Sequence, residues 1–591
     1  MKYNYSPFYS LVKANCKLVL IAFFFLFINS IKTANAQGIW TPLANLAPDS
    51  CGGVMILLSD GSVIAKGYTG GNDSIGAIWS KLTPDIHGSY VNGTWSSIAP
   101  MHDTRLYFSS QVLKDGRVYV AGGEYGTGGS KAEVYNPLTD VWTMAPNQGV
   151  GYSDANSEIL PDGRVLQAIV GAGSHTTTIY NPVTNSWMPS PTALGSHNES
   201  AWVTLADQSI LFVNVGSTNS ERYIPSLNQW IVDAQVPVNL YDPFGSECGA
   251  GLLLPDGRAF FLGGTNQTAY YTPSGTTAMG TWTAGPNIPN NRGVPDAAAA
   301  MMVNGKILCA VSHAPYSSSH IFDPPTWYYE FDYLTNSFNP VLAPNGSDTT
   351  SLPCYYSNML QLPDGNILYA DQEARQYYVY TPAGNSLAAG KPSIDSVWTD
   401  VNCNYTITGI NFNGISAGAS YGDDWQMSTN YPLVRLTNGT NVYYARTFNW
   451  NRTDVQTGTL PDTAQFTLPA GLPFATYSLQ VVVNGIASDP MSFIPCLDLG
   501  VHNTINTNST IVGVYPNPAS SELTVSISLE SKADINIQIQ DVLGQVLKNE
   551  NLGSISTVTS KVIDITNLPK GIYFVKTSID NKVIINKFIK D

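Results

Sequence analysis

The chain has 591 residues, 12% of them charged and 11% aromatic, with 51 glycines and 37 prolines, a balance that favours strands and turns over helices. Its length exceeds what one hydrophobic core serves, so several domains are expected, and 43% hydrophobic content excludes a disordered chain. A net charge of −15 repels phosphate backbones and argues against nucleic acid and anionic membranes as partners.

Residues 1–36 hold four lysines, no acid, and an apolar run from Leu18 to Ile28 that is shorter than the ~20 residues of a bilayer span. With Ala34-Asn35-Ala36 at the cleavage positions they read as a signal peptide, leaving a mature chain from Gln37 without a transmembrane span; an uncleaved anchor is the alternative. Downstream, an Asp-Gly or similar turn between two apolar runs recurs at Asp60-Gly61, Asp115-Gly116, Asp162-Gly163, Asp207-Gln208, Asp256-Gly257, Asn304-Gly305 and Asp364-Gly365. These are seven hairpins, spaced 45 to 60 residues apart. Such dipeptides fit two-residue turns with positive φ at both central positions. A third strand follows, as in Val134-Tyr135-Asn136, Ile179-Tyr180-Asn181 and Val379-Tyr380-Thr381, and a fourth is marked by Trp95, Trp142, Trp187, Trp230, Trp282 or Phe338. The pattern is all-β: a seven-bladed Kelch-type β-propeller over residues 37–390, with a sandwich or solenoid as the alternative. The seventh repeat lacks its outer aromatic strand, while Ile39-Trp40-Thr41-Pro42 precedes the first hairpin with no blade of its own. The N-terminal strand is therefore expected to complete blade seven and close the ring.

Over residues 391–495 the period changes to short alternating strands, such as Leu433 to Leu436 and Tyr477 to Val483, as in an immunoglobulin-like β-sandwich. Cys403 and Cys496 lie near its two ends and form a candidate disulfide in an exported protein, although spacing does not set connectivity. Residues 496–510, rich in Asn and Thr, read as a linker. Residues 511–591 form a small β-sandwich with strands at Leu523 to Ile527 and Ile535 to Ile539. Its Tyr515-Pro516-Asn517-Pro518, Asp541-Val542-Leu543-Gly544-Gln545 and Leu568-Pro569-Lys570-Gly571-Ile572-Tyr573 resemble the C-terminal sorting domain of type IX secretion. That resemblance implies the type IX machinery as a partner, export across the outer membrane of a Gram-negative bacterium, and then surface attachment or release. An ordinary accessory sandwich is the alternative. This unit carries eight lysines against eight acids, so the net acidity belongs to residues 37–510.

In a propeller the strand before each Asp-Gly turn is innermost, so residues eight or nine before the turn stand near the mouth of the central funnel. Eight before, the blades present Gly52, Tyr107, Asp154, Glu199, Cys248, Asp296 and Tyr356; nine before, Cys51, Leu106, Ser153, Asn198, Glu247, Pro295 and Tyr355. Register within one residue decides which set faces the axis.

Over residues 37–495, a propeller followed by an immunoglobulin-like domain resembles the galactose oxidase and glyoxal oxidase family of copper radical enzymes. The resemblance implies a thioether between Cys51, in Ser50-Cys51-Gly52-Gly53, and Tyr107, in Arg105-Leu106-Tyr107-Phe108. It also implies Tyr107 and Tyr355 as copper ligands, Cys51, Tyr107 and Tyr355 as the catalytic set, and Tyr125 as the aromatic over the cross-link. The family's two histidine ligands are missing: one position holds Tyr356, the other falls in Ala445-Arg446-Thr447-Phe448-Asn449. Copper(II) favours imidazole nitrogen, and a tyrosine with pKa about 10 does not ionise near neutrality without a cation. Arg446 would oppose copper if it pointed inward. His197 or His313, from loops at the mouth, could rebuild a site.

Three readings follow. One is a ligand-binding propeller on an oxidase-like scaffold, with Asp154, Glu199, Glu247, Asp296, Tyr125 and Tyr356 binding a glycan or a hard cation such as calcium. A second is a copper radical oxidase that converts alcohols or aldehydes and makes peroxide. The third covers structural roles and other enzymes, such as a hydrolase using the carboxylates. For the carboxylates themselves the plain alternative is that each caps a loop.

Overall fold

The computed structural model describes residues 37–591 apart from 70–74, 172–174, 401–402, 422–425, 428, 454, 456–459, 497–510, 530, 556–558 and 581. The signal peptide at 1–36 and nearly all of the linker at 496–510 lie outside the described residues. Two compact units emerge, one running to residue 398 and resuming over 405–494, the other combining 399–404 with 495–591. Apart from three short 3-10 turns, every regular element is a strand. No helix among the described residues is long and apolar enough to cross a membrane.

Seven sheets carry the repeat, each with four sequential strands or their equivalent. Their innermost strands are Cys51–Leu57, Ser109–Val112, Ser157–Ile159, Ala201–Thr204, Gly251–Leu253, Ala298–Met301 and Ser357–Gln361. The seventh sheet takes Ile39–Pro42 as its outer strand, pairing Trp40 with Tyr380, and the Trp40 ring packs against Tyr328, Tyr369 and Tyr380. The first strand of the described residues thus closes the last blade, as its orphaned aromatic signature predicts.

The hairpin turns differ from the two-residue form. In the first, the Gly61 amide donates to Leu58 and the Leu58 amide to Ser62, with positive φ at Gly61 and not at Asp60. The same pattern recurs in all seven, with Gln208 at φ 70 in the glycine position of blade four. These are three-residue loops, a type I turn followed by one left-handed residue. The Asp or Asn is selected by its side chain: in every turn its Oδ1 accepts from the amide two residues on.

Behind the ring, Asn441–Phe448 pairs with Leu433–Asn438 through its first part and with Asp462–Thr467 through its last three residues. Such a switch joins the two layers of a sandwich. This domain covers the turn end of the blades, where Thr447 donates to Ser59, Asn449 to Lys114 and Thr453 to Leu160. One hairpin leaves it for the propeller axis: Ala419–Tyr421 pairs with the innermost strand of blade six, Ala300 against Ala419 and Ala298 against Tyr421. Three consecutive alanines, Ala298 to Ala300, keep that strand slim enough to accept a neighbour inside the ring.

In the second unit, Ile511–Tyr515, Glu522–Ser528 and Thr559–Asp564 form one sheet and Val546–Ile555, Ala533–Gln540, Gly571–Ile579 and Lys582–Lys590 another. Alternating residues such as Leu523, Val525, Ile527, Ile535, Ile537 and Ile539 bury one face of each. Cys403 and Cys496 are joined as a disulfide.

Candidate functional site

The mouth lies at the end of the inner strands opposite the turns, roughly 25 Å away for eight extended residues. Its floor is set by a repeated backbone feature. Tyr107, Asp154, Glu199 and Asp296, at equivalent positions in blades two, three, four and six, all adopt the left-handed region, with φ between 43 and 54. For residues other than glycine this costs on the order of 1 kcal/mol each and persists only where the surroundings hold it. The register eight before the turn therefore faces the mouth in these four blades. Blade five departs from it: Cys248 turns into the hydrophobic core and Glu247 joins the mouth.

The mouth has two sides. On the first stand the tyrosines. Arg105 is fully buried, pairs with Glu133 at 2.9 Å and donates to the carbonyls of Gly122, Gly128 and Lys131, which anchors the strand Arg105–Leu106 against Tyr125–Gly126. Tyr107 follows directly. Its hydroxyl meets the Gln372 side chain at 3.4 Å, Tyr125 packs edge-on at 6.2 Å, and Tyr421 from the C-terminal sandwich stacks on it at 6.0 Å with the rings 19° apart. The Tyr421 hydroxyl donates to the Tyr355 carbonyl at 2.7 Å, and the Gln372 amide to the same oxygen at 3.3 Å. Tyr355 packs against Phe322 and Tyr356. Burial, with Asp296 and Tyr355 nearby, pushes the Tyr107 hydroxyl well above its usual pKa, so it stays protonated. Asp296 thus acts on the tyrosine side.

On the second side Asp154, Glu199 and Glu247 bond to one another, Glu199 in the middle, with Glu124 and Asp242 close by. Burial first, and the neighbouring carboxylates second, push Asp154 and Glu247 far above the ordinary carboxylate range. Two carboxyls bond one another only through a proton that one of them keeps. Asp242 organises the loop leading to Glu247 by accepting from the amides of Phe244, Gly245 and Glu247.

Cys51 is buried beside blade seven. Its thiol bonds the Gly53 carbonyl at 3.4 Å and the Tyr377 hydroxyl, and burial raises its pKa. At the adjacent Gly52 a methyl group would collide with the amine of Lys66, which donates to the Gly52 carbonyl and is lowered by burial to about 7.

The stretch matched to the second family histidine lies elsewhere. Arg446 donates to the Asp115 carbonyl at the turn end of blade two, and the C-terminal residue that does reach Tyr107 is Tyr421. His197 is walled in by Trp202, Phe212 and Trp230, has no hydrogen-bond partner for either ring nitrogen among the described residues, and is lowered to about 3 by burial. His313 stacks edge-on against Trp327, whose ring also carries Arg292. Neither histidine rebuilds a ligand set. The buried Tyr107 phenol, raised well above its usual pKa, an amide and mutually bonded carboxyls do not supply the imidazole nitrogen that copper(II) favours. Among the described residues no group of three or more His, Cys, Asp or Glu side chains is placed to hold a metal ion.

Sequence reasoning missed Tyr421 and Gln372. Tyr421 lies outside the repeats, and Gln372 follows the second strand of blade seven, away from the position counted from each turn, so periodicity gave no signal for either.

Comparisons with known proteins bear on the scaffold and its export. Residues 513–591 match the family described as the secretion system C-terminal sorting domain, and residues 112–149 match the Kelch motif. The F-box/kelch-repeat protein SKIP30 of Arabidopsis thaliana is 30% identical over 128 residues, 21% of this chain, and the match spans about a third of that relative, 34% of its length. A fungal alcohol oxidase of the AA5 family, solved in complex with copper, superposes with a TM-score of 0.48 at 16% identity, covering 78% of this chain and 100% of that one. The sorting domain directs the chain by type IX export to the cell surface or the medium and implies contact with that machinery.

Proposed function

We propose that the exported chain binds a neutral, hydroxyl-rich ligand, a glycan, at the propeller mouth. The observation that carries this reading is the juxtaposition of a tyrosine wall and three mutually bonded carboxyls, two of which burial raises above the ordinary carboxylate range. A protonated carboxyl both donates and accepts, which suits sugar hydroxyls, and tyrosines offer an apolar face with a polar tip. Tyr125, 37% exposed, is the ring within reach of a ligand. Export to the cell surface or the medium is compatible with a glycan ligand and supports this reading.

A glycan array on the full chain tests the reading, followed by titration of the best neutral glycan against Tyr125→Ala and Glu199→Gln. Both variants are expected to weaken binding with the fold intact. An array without a neutral glycan hit would sink the proposal. No specific observation favours the oxidase reading, and copper titration of the full chain is expected to give no stoichiometric retention.

A further inference from the structure

The connection between Ile307–His313 and Trp327–Asp332 in blade six emerges at the mouth and spans it between its neighbours. Ile321 sits against Gly245 of blade five, where a methyl group in place of hydrogen would meet its side chain, and Phe322 packs on Tyr355 of blade seven at 4.8 Å. A few residues earlier the same loop carries a cluster that the mouth does not use. Tyr316 and His320 stack nearly parallel, 4.6 Å apart and 15° inclined. His320 Nδ1 faces both carboxylate oxygens of Asp323, at 2.9 and 3.1 Å, and the Tyr316 hydroxyl bonds the same carboxylate. The backbone closes the turn, His320 donating to Ser317 and Tyr316 to His320.

Three features give this cluster a use. Tyr316 is 59% exposed although it is a large aromatic, so one ring face meets solvent while the other is backed by the imidazole. Asp323 holds both partners in place, so little side-chain freedom remains to be lost on binding. With Nδ1 engaged by Asp323, the Nε2 edge of His320 is left to bond a ligand. An oriented aromatic face with one adjacent polar edge matches a pyranose, which presents C–H groups on its face and hydroxyls at its rim. The net negative charge disfavours a phosphorylated ligand.

We propose that Tyr316 and His320, braced by Asp323, form an outer subsite that takes a further sugar unit of a neutral glycan whose end occupies the mouth. The proposal rests on the glycan reading of the mouth and adds chain length to it.

The test is calorimetric titration of the full chain with β-1,4-linked gluco-, manno- and xylo-oligosaccharides of one to six units. In the series that binds, affinity is expected to rise with length. Tyr316→Ala should abolish that gain, about 3- to 10-fold, and leave the monosaccharide affinity unchanged, while Tyr316→Phe keeps most of it. A Tyr316→Ala protein that retains the gain, or that loses monosaccharide and hexasaccharide affinity alike, overturns the subsite. So does a wild-type chain that binds the monosaccharide without any gain from length, and in that case the mouth reading stands. A wild-type chain that binds none of the three series overturns the subsite, and if the glycan array is also without a neutral hit both readings fall. Tyr316 is exposed, so the variant should melt with the wild type, which separates lost binding from lost fold.

Discussion

The two sides of the mouth start from the same backbone and end in different chemistry. Tyr107 and Asp154 occupy equivalent positions in adjacent blades with nearly the same left-handed φ, 49 and 43. Tyr107 is satisfied from outside its blade, by Gln372 of blade seven and Tyr421 of the C-terminal domain. Asp154 is satisfied by another acid, Glu199, and hence by a retained proton. The repeat supplies a geometric socket, and the partner that reaches the socket decides its chemistry. One side is therefore coupled to the packing of the whole unit, and the other to pH.

The largest expected effect breaks the tyrosine side alone. Arg105→Met strips Glu133 of its buried cation and removes one donor from each of three carbonyls, and should cost about 3–5 kcal/mol in denaturant unfolding. If the two sides are independent, the pH dependence described next should survive in this variant.

That dependence belongs to the carboxyl side. Asp154 and Glu247 are raised in the folded protein above the ordinary values of about 3.9 and 4.3, so the folded chain keeps protons that the unfolded chain releases. Their contribution to stability is fullest below about pH 4 and is lost as pH rises toward the folded values, by up to about 1.4 kcal/mol per pH unit for each proton retained. Melting temperature should accordingly fall between pH 5 and pH 9. The Asp154→Asn/Glu247→Gln double variant should flatten that slope, and an unchanged slope would place the titrating groups elsewhere.

A smaller effect tests the link between domains. Tyr421→Phe keeps the stacked ring but leaves the Tyr355 carbonyl without its hydroxyl donor, a loss of about 1–2 kcal/mol by denaturation, with the pH slope untouched. The smallest concerns Tyr125→Ala. Its ring is exposed at the rim, so stability should hold within about 0.5 kcal/mol while glycan affinity drops about 3- to 10-fold by titration.

Local pattern made the architecture legible because propeller blades repeat. Each turn dipeptide, Tyr-Asn-Pro strand and outer tryptophan reports on its own blade, and the orphaned Trp40 announced the closure. The type of turn was less legible. An Asp-Gly pair is compatible with two hairpin geometries, and only the backbone, with positive φ at Gly61 and not at Asp60, shows which one is used.

The ring of acids and tyrosines was likewise readable as a set of residues. How it divides was not, because that depends on contacts between segments far apart in the chain. A one-residue choice of register puts Glu247 at the mouth and Cys248 in the core, and it is decided by what Cys248 packs against. The assignment of Asp296 to the tyrosines depends on distances across the funnel. Tyr421 enters because Ala298, Ala299 and Ala300 leave space on the axis for a strand that comes more than a hundred residues later. Periodicity is a property of neighbours in sequence, so it specified blades, turns and the residues each offers. Packing is a property of neighbours in space, and it alone decided which residues meet, which acids keep their protons and which face a ligand can reach.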